Sequence, residues 1–397
     1  MVLYLAVALL TVMLACGIRT NAYFDRQLSR QRVVNGILMA AIFSILTSLA
    51  AFRLEVGNDY GTYVVTCHEI FQRGYVVTEP GYNLVVRILY TLSGKEDYLL
   101  MFAVFGAAIV AVFLKCFKDQ SDNFGLSFFL FMALGIYFRS FNTVRYYFAL
   151  ALSMYSLRYV VDITYDNAAG NGIFSRIKEN IYCDNNVQNL IKFLMLIIVA
   201  ATFHKSVLVV IPMFLIARLK WNKWVVGGLF LIGFATMIFR DTFLEIALNL
   251  YPSYRNTVYI EESHSIMENL PIIFRCLLVL LLCIICYREG IEKRIDNLVM
   301  YNLNILAVIL YITCSWLPLI TRIGYYLITP QVILIPNVIM SIKDPEKKKR
   351  ITYVVIFFGI MYFTYFLFTA HNDGVRVLPY KSWLFYDHRW LNQTDLF

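Results

Sequence analysis

The stretch FRLEVGNDYGTY, Phe52 to Tyr63, is a polar block set between apolar runs. Val33 to Phe52 precedes it, and Tyr98 to Leu114 follows after a semi-polar segment. A bilayer core holds about 20 helical residues and tolerates charge poorly. The block is therefore expected at a membrane surface, with Arg53, Glu55 and Asp59 held at the rim by the spans beside them. An arginine, carboxylates and tyrosines gathered there suit a ligand carrying both phosphate and sugar.

The rest of the chain agrees with a membrane setting. Its 397 residues are 60% hydrophobic and only 15% charged, whereas soluble domains run to about 25% charged. This excludes a soluble enzyme with one anchor and predicts an all-α, polytopic membrane protein. Apolar windows predict about 12 transmembrane helices of some 20 residues each. They lie near 1–18, 33–52, 98–115, 124–139, 142–161, 190–203, 205–219, 224–240, 270–287, 297–315, 319–342 and 351–370. Ile191 to Phe203 and Val207 to Leu219 are short and meet at His204–Lys205, as a tight helical hairpin or as re-entrant segments. The first 17 residues lack the charged start of a signal peptide and are read as the first membrane helix.

The net charge of +9 does not imply nucleic acid, because no basic arm or RNA-type motif is present. Lys and Arg concentrate in alternate loops, from Arg19, Arg26, Arg30 and Arg32 to Lys343, Lys347, Lys348, Lys349 and Arg350. The positive-inside bias puts these loops in the cytoplasm and both termini outside. The expected organisation is one integral membrane domain, 1–397, with a cytoplasmic loop at 162–189. Outer-face segments are expected at 53–97, 241–269 and 371–397. The first has room for two interfacial helices, Asp59–Phe71 and Pro80–Leu92, with Pro80 at a first helical position. All five histidines fall on the outer side. Most of the eight cysteines lie in or beside apolar spans, where they act as small hydrophobes. Cys283 and Cys286 form a CxxC inside LLVLLLCIICYR, without the polar turn and further ligands a zinc or redox site needs.

Candidate residues follow from this layout. Asp59 and Tyr63 share a helix face, and Asp59 either works chemically or caps that helix. Arg53 either meets a ligand or snorkels to headgroups. Glu79 stands before a Pro-Gly turn, a common structural place for a carboxylate. Arg139 and Arg145 flank the short turn RSFNTVR. A guanidinium at that boundary pairs, meets an anion or snorkels, and its planar fork suits phosphate oxygens. Arg322 repeats the pattern inside the apolar LPLITRIGYY, where snorkelling is harder. His204 lies between two apolar helices, as a packing residue or as part of a polar site. No histidine pair stands at metal-ligand spacing, and no nucleophile elbow, phosphate loop or dinucleotide fingerprint occurs.

RLEVGNDYGTY resembles the R-x-x-x-G-x-D-Y-x-x-Y signature of the EpsG-like, Wzy-type polysaccharide polymerases. Further features match in order: EPGY at Glu79–Tyr82, NTVRYYFALAL at Asn142–Leu152, TFHKSVLVVIP at Thr202–Pro212, TRIGYY at Thr321–Tyr326 and LPYKSW at Leu378–Trp383. Asn58 stands where the signature often carries Thr. The resemblance implies a glycosyltransferase C-like membrane fold in a bacterial cytoplasmic membrane. It also implies joining of undecaprenyl-diphosphate-linked oligosaccharide repeat units, as in O-antigen, capsule or exopolysaccharide, at the outer face. No nucleotide sugar or other cofactor is implied, and no metal is required. A flippase and a chain-length regulator are the implied protein partners, alongside membrane lipid. In such a reaction Asp59 is expected as general base, with Glu79 and His204 as substitutes. Arg145, Arg322, Arg139 and Arg53 are expected to meet the diphosphate, and Tyr60, Tyr63, Tyr82 and Tyr325 to stack on sugar rings.

Three other classes fit parts of the pattern. A flippase for lipid-linked sugars shares the arginines but calls for charged groups deep in many spans. A membrane O-acyltransferase would use His204 to activate a hydroxyl. A scaffold has little use for arginines at membrane depth.

Overall fold

The computed structural model describes residues 1–19, 28–73, 76, 78–163, 184–250, 266–317, 320–371 and 375–385. Most of the expected loops 162–189 and 241–269, and the end of the tail 371–397, lie outside the described residues. All regular structure among the described residues is helical. The helices are α1 (Val2–Cys16), α2 (Leu28–Ala51), α3 (Tyr60–Arg73), α4 (Pro80–Ser93), α5 (Tyr98–Gln120), α6 (Phe124–Ala133), α7 (Ile136–Arg139) and α8 (Val144–Val161). They continue with α9 (Asp184–Ala201), α10 (Val210–Ala217), α11 (Lys223–Ile238), α12 (Arg240–Leu250), α13 (Ile266–Ile285) and α14 (Ile295–Thr313). The last are α15 (Ile320–Ile328), α16 (Gln331–Met340) and α17 (Pro345–Thr369).

Every apolar window expected to be a span falls on helix, but the lengths differ. Six described helical stretches are long and apolar enough to cross a bilayer: Arg30–Ala51, Tyr98–Gln120, Ile266–Ile285, Ile295–Thr313, Ile320–Met340 and Pro345–Thr369. A seventh arises if α11 and the start of α12, bent by 90° at their junction, count as one span. Val2–Cys16, Phe124–Ala133, Asn185–Ala201 and Lys205–Ala217 are apolar but shorter. At 1.5 Å per residue, a helix of ten residues reaches only about half of a ~30 Å core. Helices form where the two interfacial helices were expected, as α3 and α4.

Chain packing divides the molecule into two compact units. The first comprises Met1–Tyr155, Val199–Lys205 and Glu346–Phe397. In it α2 lies along α5, and α1 packs on α2 and α6. Its core is aromatic: Phe113, Phe117, Phe124, Phe128, Phe131, Tyr137 and Phe138 are almost wholly buried. Asp97 and Asn123 accept backbone N–H groups at the starts of α5 and α6, both at 3.0 Å. These bonds supply acceptors for donors that no intrahelical carbonyl reaches.

The second unit comprises Ser156–Ile198 and Ser206–Pro345 and is organised around α14. This helix packs against α10, α11, α13, α15 and α16. Its asparagines point inward and fasten the neighbours by their main chains. Asn302 donates to Ala217 O at 2.8 Å and Leu219 O at 3.0 Å, at the end of α10. Asn304 donates to Cys276 O of α13 at 3.0 Å and accepts from Gln331 Nε2 of α16 at 2.6 Å. In an apolar surround, amide bonds of this kind fix helix register where greasy contacts alone are permissive.

Candidate functional site

The polar block leaves α2 at Ala51 and turns sharply before α3. Gly57 has φ +101°, and a Cβ there would lie 2.6 Å from Phe141 O. The glycine is required twice over, by its left-handed backbone and by the approach of the 139–145 turn. The same turn supplies Asn142, whose Oδ1 accepts the Asp59 N–H at 2.9 Å. Two segments far apart in sequence are thus stitched together at the mouth of α3.

Arg53 is the internal post of the block. It is 1% exposed, and its guanidinium lies between two rings, 4.5 Å from the Phe102 centroid and 5.0 Å from that of Phe141. Among the described residues, Nε and Nη2 have no hydrogen-bond acceptor. The ring faces take that place, an attraction that grows when the cation is desolvated. Burial lowers the Arg53 pKa to about 10, against the opposing pull of nearby tyrosines, Tyr60 first. Arg53 thus neither snorkels to headgroups nor faces solvent. Tyr60, also buried, stacks on Phe102 at 4.7 Å, and burial raises its phenol.

One turn further along α3, Tyr63 begins the charged centre. Its hydroxyl accepts the Arg145 backbone N–H at 3.3 Å. The Arg145 guanidinium carbon lies 5.6 Å from the Tyr63 ring and 5.2 Å from the Tyr82 ring. Arg145 Nη1 donates to Glu79 Oε2 at 2.5 Å. Both side chains are mostly buried, at 24% and 16% exposed. Glu79 occupies the N-cap position of α4, with Pro80 opening the helix, yet its carboxylate caps no backbone N–H. It reaches across to Arg145 instead. Arg145 Nε is buried without an acceptor. Burial raises the Tyr63 phenol, with Arg145 opposing and Asp59 adding to the shift. Both charges therefore act on this one ring.

The 199–205 segment closes the same centre. Thr202 O accepts the Gly81 N–H at 2.8 Å, tying this segment to the start of α4. Phe203 packs edge-on against Phe105 and Phe148. The His204 ring stands edge-on to Tyr146 at 5.3 Å, next in sequence to Arg145. Asp59, Tyr63, Glu79, Tyr82, Arg145 and His204, spread over almost 150 positions, are thus gathered within the first unit. The Arg139 guanidinium carbon lies 5.3 Å from the Phe366 ring.

Arg322 and Tyr325 belong to the second unit, on α15, and both are half-buried. Gly324 between them lies against the Tyr311 side chain with no room for a Cβ. Tyr326 Oη and Ser206 Oγ are 3.0 Å apart.

The EpsG family model matches residues 36–166 and 182–382, which take in nearly all of these features. The chain belongs to the EpsG family. This makes it a membrane protein of a family associated with polysaccharide polymerisation. No curated protein and no solved structure matches it. In this EpsG-family chain the arrangement has definite chemical capacity. A guanidinium boxed by two tyrosines with one arm on a carboxylate is a fixed, partly buried positive charge. Asn142 and Thr202 were not singled out from the sequence, although both lie in motifs that carried the resemblance. Asn142 makes its contact through an ordinary amide and Thr202 through a main-chain carbonyl, which leaves no composition signal.

Proposed function

We propose that the protein polymerises undecaprenyl-diphosphate-linked oligosaccharide repeat units by glycosyl transfer at the outer face of a bacterial cytoplasmic membrane. The proposed layout has about 12 crossings, with some of the apolar helices too short to traverse the core alone, and both termini outside. A hydroxyl of one lipid-linked unit attacks the anomeric carbon of another. The new C–O bond forms as the bond to the lipid diphosphate breaks, with inversion. The hydroxyl proton passes to a carboxylate, and the diphosphate leaves as an anion. A flippase would deliver the units, and a chain-length regulator would act on the product.

The observation that carries this reading is the buried Arg145–Glu79 pair inside the Tyr63–Tyr82 box, joined to EpsG membership. A leaving diphosphate needs fixed positive charge more than it needs a proton, and Arg145 supplies that charge in a water-poor setting. Asp59, at the turn that opens α3, is the preferred base, with Glu79 as one substitute. His204 is the other substitute. Arg322 and Arg139 are further candidates for the anion, each tested by its own alanine variant. Tyr60, Tyr63 and Tyr82 are buried, so these three are not proposed to stack on sugar rings, and Arg53 likewise acts from inside the fold. Half-buried Tyr325 stays a candidate for sugar contact.

Purified protein in detergent, given the lipid-linked repeat, should produce a ladder on a gel without any membrane gradient. Asp59→Asn should still bind the repeat but give no ladder. Failure of the wild-type protein to ladder, with the repeat instead moved across a proteoliposome membrane, would point to a flippase. Altered acetyl content of the polymer at unchanged length would point to an acyltransferase.

A further inference from the structure

After α17 the chain turns back to the polar block and lies along it. Val377 and Leu378 first bond the end of α17, both N–H groups reaching Ala370 O at 3.0 and 3.1 Å. Then a short ladder forms. Gly57 N–H donates to Arg376 O and Leu54 N–H to Lys381 O, each at 2.9 Å. Trp383 N–H donates to Phe52 O at 3.1 Å, and its indole Nε1 to Ala51 O at 3.1 Å. Arg53 and Ser382 pair in an antiparallel bridge. Tyr380 Oη donates to Leu49 O at 2.9 Å, and Tyr4 Oη to Val377 O at 2.7 Å. Glu55 and Arg376, on opposite sides of this ladder, both hold positive φ, at 53° and 44°. Side-chain-bearing residues rarely adopt that conformation, and it persists where surrounding structure enforces it.

We propose that residues 375–385 are a positioning strap for the Arg53–Asp59 block. The ion pair between Lys381 Nζ and Glu55 Oε2, at 2.6 Å, is its outer clasp. The proposal rests on the reading that Asp59 serves the reacting site. The strap holds the block by its main chain, and the block, ending at Asp59, leads into α3, whose Tyr63 hydroxyl accepts the Arg145 N–H. Neither Lys381 nor Glu55 touches the Arg145–Glu79 centre in the described contacts, so their influence runs through the backbone. Both are well exposed, and reversing one charge leaves the buried parts of the fold untouched.

Two readouts test this in the purified full-length protein. Hydrogen exchange at Leu54 and Gly57 should quicken by about fivefold in Lys381→Glu, the scale of an exposed ion pair. It should return to the wild-type rate in the Glu55→Lys/Lys381→Glu double variant, while α5 amides exchange equally in all three. Elongation should follow the same order, with kcat lowered about fivefold in the single variant, KM nearly unchanged, and kcat recovered in the double. Lys381→Arg should behave as wild type in both. Unchanged exchange in Lys381→Glu, or no recovery in the double variant, overturns the clasp. Quickened exchange with unchanged kcat overturns the link to catalysis. If the wild-type protein does not polymerise, the polymerase reading fails, while the exchange measurement still decides whether the strap holds the block.

Discussion

Asn297, Asn302 and Asn304 of α14 are all buried, and each gives its amide to a main-chain carbonyl at 2.7–3.0 Å. Arg53, Glu79 and Arg145 of the first unit are handled otherwise. Arg53 lies between rings with two nitrogens lacking acceptors, and Arg145 divides itself between a carboxylate, two tyrosines and an empty Nε. Neutral amides paired with carbonyls hold helices in register at small cost, although Asn297 Oδ1 itself finds no donor among the described residues. Charges at partial burial are expensive unless they have work to do. The asparagines thus hold helices together through main-chain carbonyls, whereas Arg53 and Arg145 are held by rings and, for Arg145, a carboxylate.

That contrast can be broken most directly at Arg145. Arg145→Ala should lower elongation by about 10²–10³-fold, the range for removing an electrostatic stabiliser of developing charge. Helix content and extraction yield should stay near wild type. Normal ladders from this variant would put Arg145 in the same architectural class as the asparagines. Asn304→Ala is the reciprocal experiment. It removes one donor to the Cys276 carbonyl and the stronger acceptor of the Gln331 amide, and should lower stability by about 1–3 kcal/mol. Thermal unfolding in detergent measures the loss, and turnover per folded molecule should hold steady. A fall in turnover would mean that the second unit contributes more to the chemistry than packing.

Gly57→Ala asks whether the block is shaped by its backbone. Forcing a side chain into that left-handed turn should cost at least about 1–2 kcal/mol. Gly36, where a Cβ would meet nothing within 4 Å, is the matched control as Gly36→Ala. Equal melting temperatures for the two variants would count against the tight turn. Tyr63→Phe should have the smallest effect. It keeps the ring beside Arg145 but removes the hydroxyl that accepts the Arg145 N–H, worth about 0.5–1.5 kcal/mol. Elongation should drop by roughly two- to tenfold, and a larger loss would give the hydroxyl itself a role with substrate.

The sequence by itself determined the membrane class, the helical fold and the neighbourhoods in which chemistry would be sought. Apolar length and charge exclusion are properties of a local window, so every expected span fell on helix, and α3 and α4 formed where Pro80 and the polar block foretold them. Family membership was also legible, because short motifs in fixed order survive without knowledge of their contacts. The break between α9 and α10 was already marked at His204–Lys205, whereas the shortness of α6 and the 90° bend between α11 and α12 became visible only in the tertiary structure. Partnership was likewise beyond local reading. Glu79 could have capped α4, Arg53 could have reached headgroups, and Arg145 could have done either. The segment ending in LPYKSW gave no local sign that its main chain would lie along Arg53. Hydrogen bonds between backbone groups leave no imprint on residue type, and an ion pair across 66 positions becomes visible only when the chain has closed on itself.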